Sequence, residues 1–141
     1  MKKIFLDTNI FIRFLTRDDD QKYLHCSKIF SHIEEGRLRP YISNIIIMEI
    51  LFVLTKTYGF SKESVLDDMN TLMSLRNLTV IEKSDTKKAL ALYKKMNIKY
   101  LDCLIATQVP KNSRILTYDE EFSKIKTLKS ATPADLLQVL K

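Results

Sequence analysis

The stretch from Ile4 to Ile12 constrains this chain more than any other. The apolar run Ile4-Phe5-Leu6 stops at Asp7, and a second apolar run, Ile10 to Leu15, follows almost at once. The first run is short and offers no polar residue on either face, which suits a strand buried on both sides. The second has helical length, and Asp7, Thr8 or Asn9 can cap it. A carboxylate therefore sits where a strand hands over to a helix, and in open α/β sheets ligands bind at that edge.

The rest of the chain repeats the alternation. Three adjacent aspartates, Asp18-Asp19-Asp20, precede an amphipathic stretch carrying Tyr23, Leu24, Ile29, Phe30 and Ile33. They suit the N-terminal dipole of that second helix better than a metal site. Gly36 suits its C-terminal end. Arg39-Pro40-Tyr41-Ile42 is a second strand, with Pro40 at its start. Ser43 or Asn44 caps a third helix, Ile45 to Tyr58, which Gly59 ends. Ser61 caps a fourth, with Val65, Met69, Leu72, Met73 and Leu75 at roughly helical spacing. Leu78 to Ile81 is the third strand. A fifth helix runs from Asp85 to Asn97, and a sixth from Leu101 to Val109, opening at Asp102. Arg114 to Thr117 is the fourth strand, leading to Asp119 and a short helix, and Thr127-Leu128 is a weak fifth strand. Thr132-Pro133-Ala134-Asp135 starts a terminal helix. Strands alternating with helices predict a three-layer α/β/α fold around a parallel sheet of four to five strands, whose strands end at one common edge.

The 141 residues suit one domain, residues 1–141. The chain has 45% hydrophobic and 28% charged residues, an ordinary soluble balance, and its two glycines and three prolines argue against long linkers. The net charge of +6 biases it toward polyanionic partners without proving one. Cys26 and Cys103 have no metal or redox spacing, and the apolar part of the N-terminus is broken at Asp7. The chain is therefore expected to be cytoplasmic with reduced thiols. No stretch approaches the length of a membrane span.

Four acids stand out by position. Asp7 and Asp119 follow parallel strands, Asp102 opens a helix, and Glu49 is the only ionisable residue within Ile45 to Leu54. Asp7, Asp102 and Asp119 could each be a helix cap. A helix apolar all round is expected to be buried, and a buried carboxylate needs a cation, either Lys or Arg or a metal. Carboxylates without nearby histidine or thiolate favour Mg²⁺ or Mn²⁺. Such a centre can activate water and stabilise charge on a phosphoryl oxygen. With a basic chain, the combination points to metal-dependent hydrolysis of a phosphodiester.

Four segments carry a resemblance: Phe5-Leu6-Asp7-Thr8-Asn9-Ile10, Ile42-Ser43 followed by Met48-Glu49, Leu101-Asp102-Cys103-Leu104-Ile105-Ala106, and Ile115-Leu116-Thr117-Tyr118-Asp119. In order and spacing the chain resembles PIN domains, and more narrowly the VapC toxins of bacterial and archaeal toxin–antitoxin pairs. The resemblance implies a Mg²⁺- or Mn²⁺-dependent endoribonuclease using Asp7, Glu49, Asp102 and Asp119. Asp7 and Asp102 would be direct metal ligands, and Glu49 would help hold the metal or orient the attacking water. Asp119 would act through water or a second ion, and Asn9 and Thr117 would orient the carboxylates. It further implies a homodimer, tRNA or rRNA as substrate, and a cognate antitoxin laid over the active edge. The chain departs from the pattern at Pro110-Lys111-Asn112-Ser113, which lacks the glycine often found there.

Arg13 is a candidate to reach substrate near the metal edge. Lys87, Lys88, Lys94, Lys95 and Lys99 suit a solvated helix face better than a phosphate track. His25 and His32 lack a further ligand at metal spacing, and Cys103 reads as a packed thiol. Phe11, Phe14 and Phe52 suit core or dimer packing better than base stacking. Three alternatives remain: a PIN-fold ribonuclease outside a toxin pair, a small metal-dependent phosphatase, and a non-catalytic module whose acids bind a basic partner. Phosphatases that form a phosphoaspartate usually carry a second aspartate where this chain has Asn9.

Overall fold

In the computed structural model, which describes residues 2–141, the first strand lies at the centre of the sheet. β1 (Lys2–Leu6) pairs with β2 (Leu38–Ser43) on one side and β4 (Ser113–Leu116) on the other. β3 (Thr79–Ile81) and β5 (Ser130–Ala131) form the edges, in the order β3-β2-β1-β4-β5 with every pair parallel. Ile4, Phe5 and Leu6 are fully buried, as a central parallel strand covered on both faces requires.

The sheet is wound in two directions from β1. α1 (Thr8–Thr16) and α2 (Asp20–Glu34) lead to β2, and α3 (Asn44–Phe52) and α4 (Lys62–Met73) lead to β3. α5 (Thr86–Lys95) and α6 (Tyr100–Gln108) then carry the chain back across the sheet to β4, and α7 (Pro133–Val139) follows β5. Right-handed crossovers place α1 to α4 on one face and α5 and α6 on the other. The packing agrees: α1 touches α2 and α3, α2 touches α7, and α5 packs on α6. Because the winding reverses between β1 and β4, their C-terminal ends flank a topological switch point, where such sheets form ligand crevices.

Local signals set the element ends. Asp7 caps α1 by accepting from the Thr8 N–H, Ser43 caps α3, and Ser61 caps α4. Thr132 and Asp135 form a reciprocal capping box on α7. Asn112 takes a left-handed φ of 61° in the turn before β4, which answers the missing glycine with the side chain that best tolerates that conformation. Ser43 Oγ donates to Gln108 Oε1, and Gln108 Nε2 donates to Asn44 Oδ1 at 3.2 Å, which ties the end of α6 to the end of β2.

Five expectations are corrected. The third helix is α-helical only to Phe52 and continues through Val53–Thr57 with π-type bonding. It is also covered on one face only: Ile46 and Ile50 are buried, while Met48 is 60% and Phe52 62% exposed. Asp102 is not a helix-opening cap; α6 starts at Tyr100 after Lys99, with Asp102 in its first turn. The fifth strand is Ser130–Ala131 rather than Thr127-Leu128, because its two-residue pairing with Ile115 and Leu116 is set by β4. Pro40 lies inside β2 rather than at its start, at a point where β3, which joins only from Tyr41, is not yet paired.

Candidate active site

Asp7, Glu49, Asp102 and Asp119 all line one pocket of about 250 Å³, with Thr8, Asn9, Arg13, Tyr58 and Lys99. A larger cleft, of about 1310 Å³, lies elsewhere and contains none of these acids. Chemistry rather than size therefore identifies the smaller pocket.

The backbone that ends β1 and β4 builds the inner wall. The Asp7 N–H donates to the Leu116 carbonyl at 3.1 Å, holding the two strand ends together. Asp7 is 5% exposed. Its Oδ1 accepts the Thr8 N–H at 2.8 Å, and its Oδ2 accepts the Thr117 hydroxyl at 2.6 Å and Asn9 Nδ2 at 3.3 Å. Thr117 Oγ1 in turn accepts the Asp119 N–H at 2.9 Å, while Asn9 Oδ1 accepts the Tyr118 N–H at 3.2 Å. Asn9 and Thr117 thus brace both acids that follow the strands. Asp119 also caps the 3₁₀ turn Glu120–Lys124 through the Glu121 N–H.

Glu49 and Asp102 complete the pocket from opposite layers. Glu49 is half-buried on α3, and its Oε1 accepts the Thr8 hydroxyl. No Lys or Arg pairs with it among the described residues, so full burial against a basic partner is overturned. The helix lies open on its outer face. Asp102 is 4% exposed, and its Oδ2 is buried without a hydrogen-bond partner. A bare buried acceptor is costly.

The electrostatics follow from this crowding. Burial raises the Asp7 carboxyl to about 6; the Thr117 and Thr8 hydrogen bonds oppose the rise, and Glu49 and Asp119 add to it. Burial likewise raises Asp102 to about 6, opposed by Lys99 and reinforced by Asp119, Asp7 and Glu49. Asp7 and Asp102 therefore both feel the charges of Glu49 and Asp119. A hard cation suits such a donor set, which holds no histidine or thiolate, and the unpartnered Asp102 oxygen is a ready ligand. Among the described residues, no three histidine, cysteine or acidic side chains stand close enough to grip an ion as placed.

Other sequence candidates separate here. Arg13 lines the pocket but its Nη1 is held by both Asp18 oxygens, at 2.9 and 3.0 Å, and Tyr58 donates to the same carboxylate at 2.7 Å. Asp19 caps α2, so the aspartate run serves structure, as expected. Phe11 is core, Phe14 packs on Phe30 with ring centroids 4.5 Å apart, and Phe52 is exposed. Cys26 and Cys103 are buried free thiols. Two pocket residues carried no signal of their own. Thr8 was one of three cap candidates yet holds Glu49, and Lys99 was one of five lysines yet is the only one of them facing the acids.

Known proteins resemble this chain over most of its length. A VapC ribonuclease of Aquifex aeolicus is 21% identical over 122 residues, covering 85% of this chain and 90% of that protein. The VapBC2 complex of Rickettsia felis, solved with a promoter DNA fragment, matches with a TM-score of 0.66 at 20% identity, over 92% of this chain and 98% of the other. VapC20 of Mycobacterium tuberculosis, described as a toxin that cleaves the sarcin-ricin loop, matches with a TM-score of 0.66 at 14% identity, over 89% and 97%. These structures share the fold. The PIN domain model matches residues 4–128, which include all four acids, and the chain belongs to the PIN domain family.

Proposed function

We propose that the protein is a metal-dependent endoribonuclease, the toxin of a toxin–antitoxin pair. The observation that carries this reading is the convergence of Asp7, Glu49, Asp102 and Asp119 on one pocket at the switch point, with a buried Asp102 oxygen left unpartnered. The Aquifex relative, a VapC ribonuclease, and the VapBC complex among similar structures support it.

Asp7 and Asp102 would hold a Mg²⁺ or Mn²⁺ ion directly, with Glu49 as a further ligand or as the group that orients the attacking water. Such an ion supplies an activated water and offsets charge on the phosphoryl oxygens. Thr117 and Asn9 hold the Asp7 carboxylate in one orientation and keep Asp119 beside it. Thr8 holds Glu49 at the rim. Lys99 is the cation positioned to meet a scissile phosphate, and Arg13 would join it on release from Asp18. The phosphatase reading loses support, because Asn9 is committed to Asp7, Thr117 and Tyr118.

Exposed Met48 and Phe52 on α3, with Leu66 and Met73 on α4, support a homodimer through these helices. A cognate antitoxin is expected to cover the acid pocket.

The direct test incubates total RNA with the purified protein and Mn²⁺, Mg²⁺ or EDTA. Discrete, metal-dependent fragments are expected, and turnover of a phosphomonoester without RNA cleavage would sink the proposal. Thr117→Val gives a finer check. It keeps the side-chain shape but removes the hydroxyl shared by Asp7 and Asp119, and should slow cleavage about 10- to 100-fold with thermal melting little changed. Wild-type activity would show that the brace plays no part in the chemistry.

A further inference from the structure

The net charge of +6 has a location. The cleft of about 1310 Å³ is lined by Lys2 and Lys3 of β1, Lys88 and Lys95 of α5, and Lys111 and Arg114 at the entry to β4. Lys129, just before β5, is the seventh cation, and among the described residues no acid lines the cleft. Among the described residues, none of the seven forms an ion pair. The other 16 of the chain's 23 lysines and arginines face 17 acids, so the basic excess of the whole molecule resides here. The helix dipole accounts for Lys95 in the last turn of α5. It does not account for cations gathered at the N-terminal ends of three adjacent strands.

The acid pocket has the opposite balance. Its four carboxylates meet only Lys99 and an Arg13 already held by Asp18. That edge can supply chemistry but little attraction for a polyanion. We propose that the cationic cleft binds the phosphate backbone of the RNA, as an anchor separate from the acidic pocket; this deepens, and rests on, the ribonuclease reading above. Among the described residues no aromatic ring lines the cleft to stack a base, so it grips phosphate without reading sequence. Lys95 on the cleft wall and Lys99 in the acid pocket lie four residues apart, a chain span of at most about 14 Å. One RNA can therefore engage both along the α5–α6 side.

The test measures binding of fluorescently labelled unfractionated tRNA in EDTA across a salt series. Lys95→Glu, Lys111→Glu and Lys129→Glu combined alter exposed side chains in the cleft. Lys28→Glu, Lys62→Glu and Lys83→Glu combined give the same net charge from exposed positions outside it. The cleft variant is expected to bind at least about tenfold more weakly, with the slope of log K against log salt shallower by about 3. The control should stay within about twofold of wild type. Equal losses in both variants, or none in the cleft variant, overturn the anchor. So does displacement of tRNA by equimolar ATP at constant ionic strength, which would assign the cleft to a free nucleotide. Cleavage is scored separately. Cleft-dependent tRNA binding by a protein that cuts no RNA with Mn²⁺ would sink the ribonuclease reading alone, while metal-dependent cutting without cleft dependence would sink the anchor alone.

Discussion

Asparagine in place of Asp7 is expected to abolish RNA cleavage, by well over a hundredfold, and to leave the fold standing. Residues that merely orient a metal ligand cost about 10- to 100-fold when removed, and Asp7 is the carboxylate that such residues serve here. Thr117, Asn9 and the Thr8 N–H all fix its two oxygens. Asparagine keeps an oxygen to cap α1, a position where it ranks beside aspartate. It replaces the other oxygen with an amide that cannot accept from Thr117 and carries no charge for a cation. The measurement is single-turnover cleavage of total RNA with Mn²⁺, beside circular dichroism of the same samples. Cleavage at the wild-type rate by Asp7→Asn would remove Asp7 from the chemistry and with it the proposed site.

Local chemistry was legible in the sequence. The buried run Ile4 to Leu6, the caps at Ser61 and Thr132, the narrow choice of caps at Asp7 to Asn9 and at Ser43 or Asn44, and the alternation that makes the sheet parallel all depend on neighbours in the chain. Facing and long-range partners were not. Glu49 was singled out because its helix is apolar throughout, yet that helix is covered on one side and Glu49 meets Thr8, 41 residues away, rather than a lysine. Apolar composition states that a helix can be buried; the placement of its neighbours decides which face is. Asp102 resembled a cap, but α6 begins earlier and turns the carboxylate into the pocket. The basic excess was a single number until the fold gathered cations from strand ends, a helix and a turn into one cleft, an arrangement with no sequence spacing to detect.

Asp102→Asn should have opposite effects on activity and stability. Cleavage should be lost, yet the metal-free protein should become more stable at neutral pH. Burial and the neighbouring acids lift Asp102 from the ordinary 3.8 to about 6. Between those values the folded state holds a proton that the unfolded chain has released, so stability falls as pH rises through the window and stays lower above it. Two pH units correspond to roughly 3 kcal/mol, an upper figure for the penalty at neutral pH. Asparagine carries no charge at any pH and gives up no protein hydrogen bond at Oδ2, which has none. The gain, of about 1 to 3 kcal/mol, should appear in urea unfolding at neutral pH and vanish near about pH 4. Mn²⁺ should reverse the ranking by binding the folded wild type and not the variant. The same crowding that makes the empty site costly is what a cation relieves, so metal affinity and metal-free instability have one source. A variant destabilised at neutral pH, with an unaltered response to Mn²⁺, would instead make Asp102 a structural residue of α6.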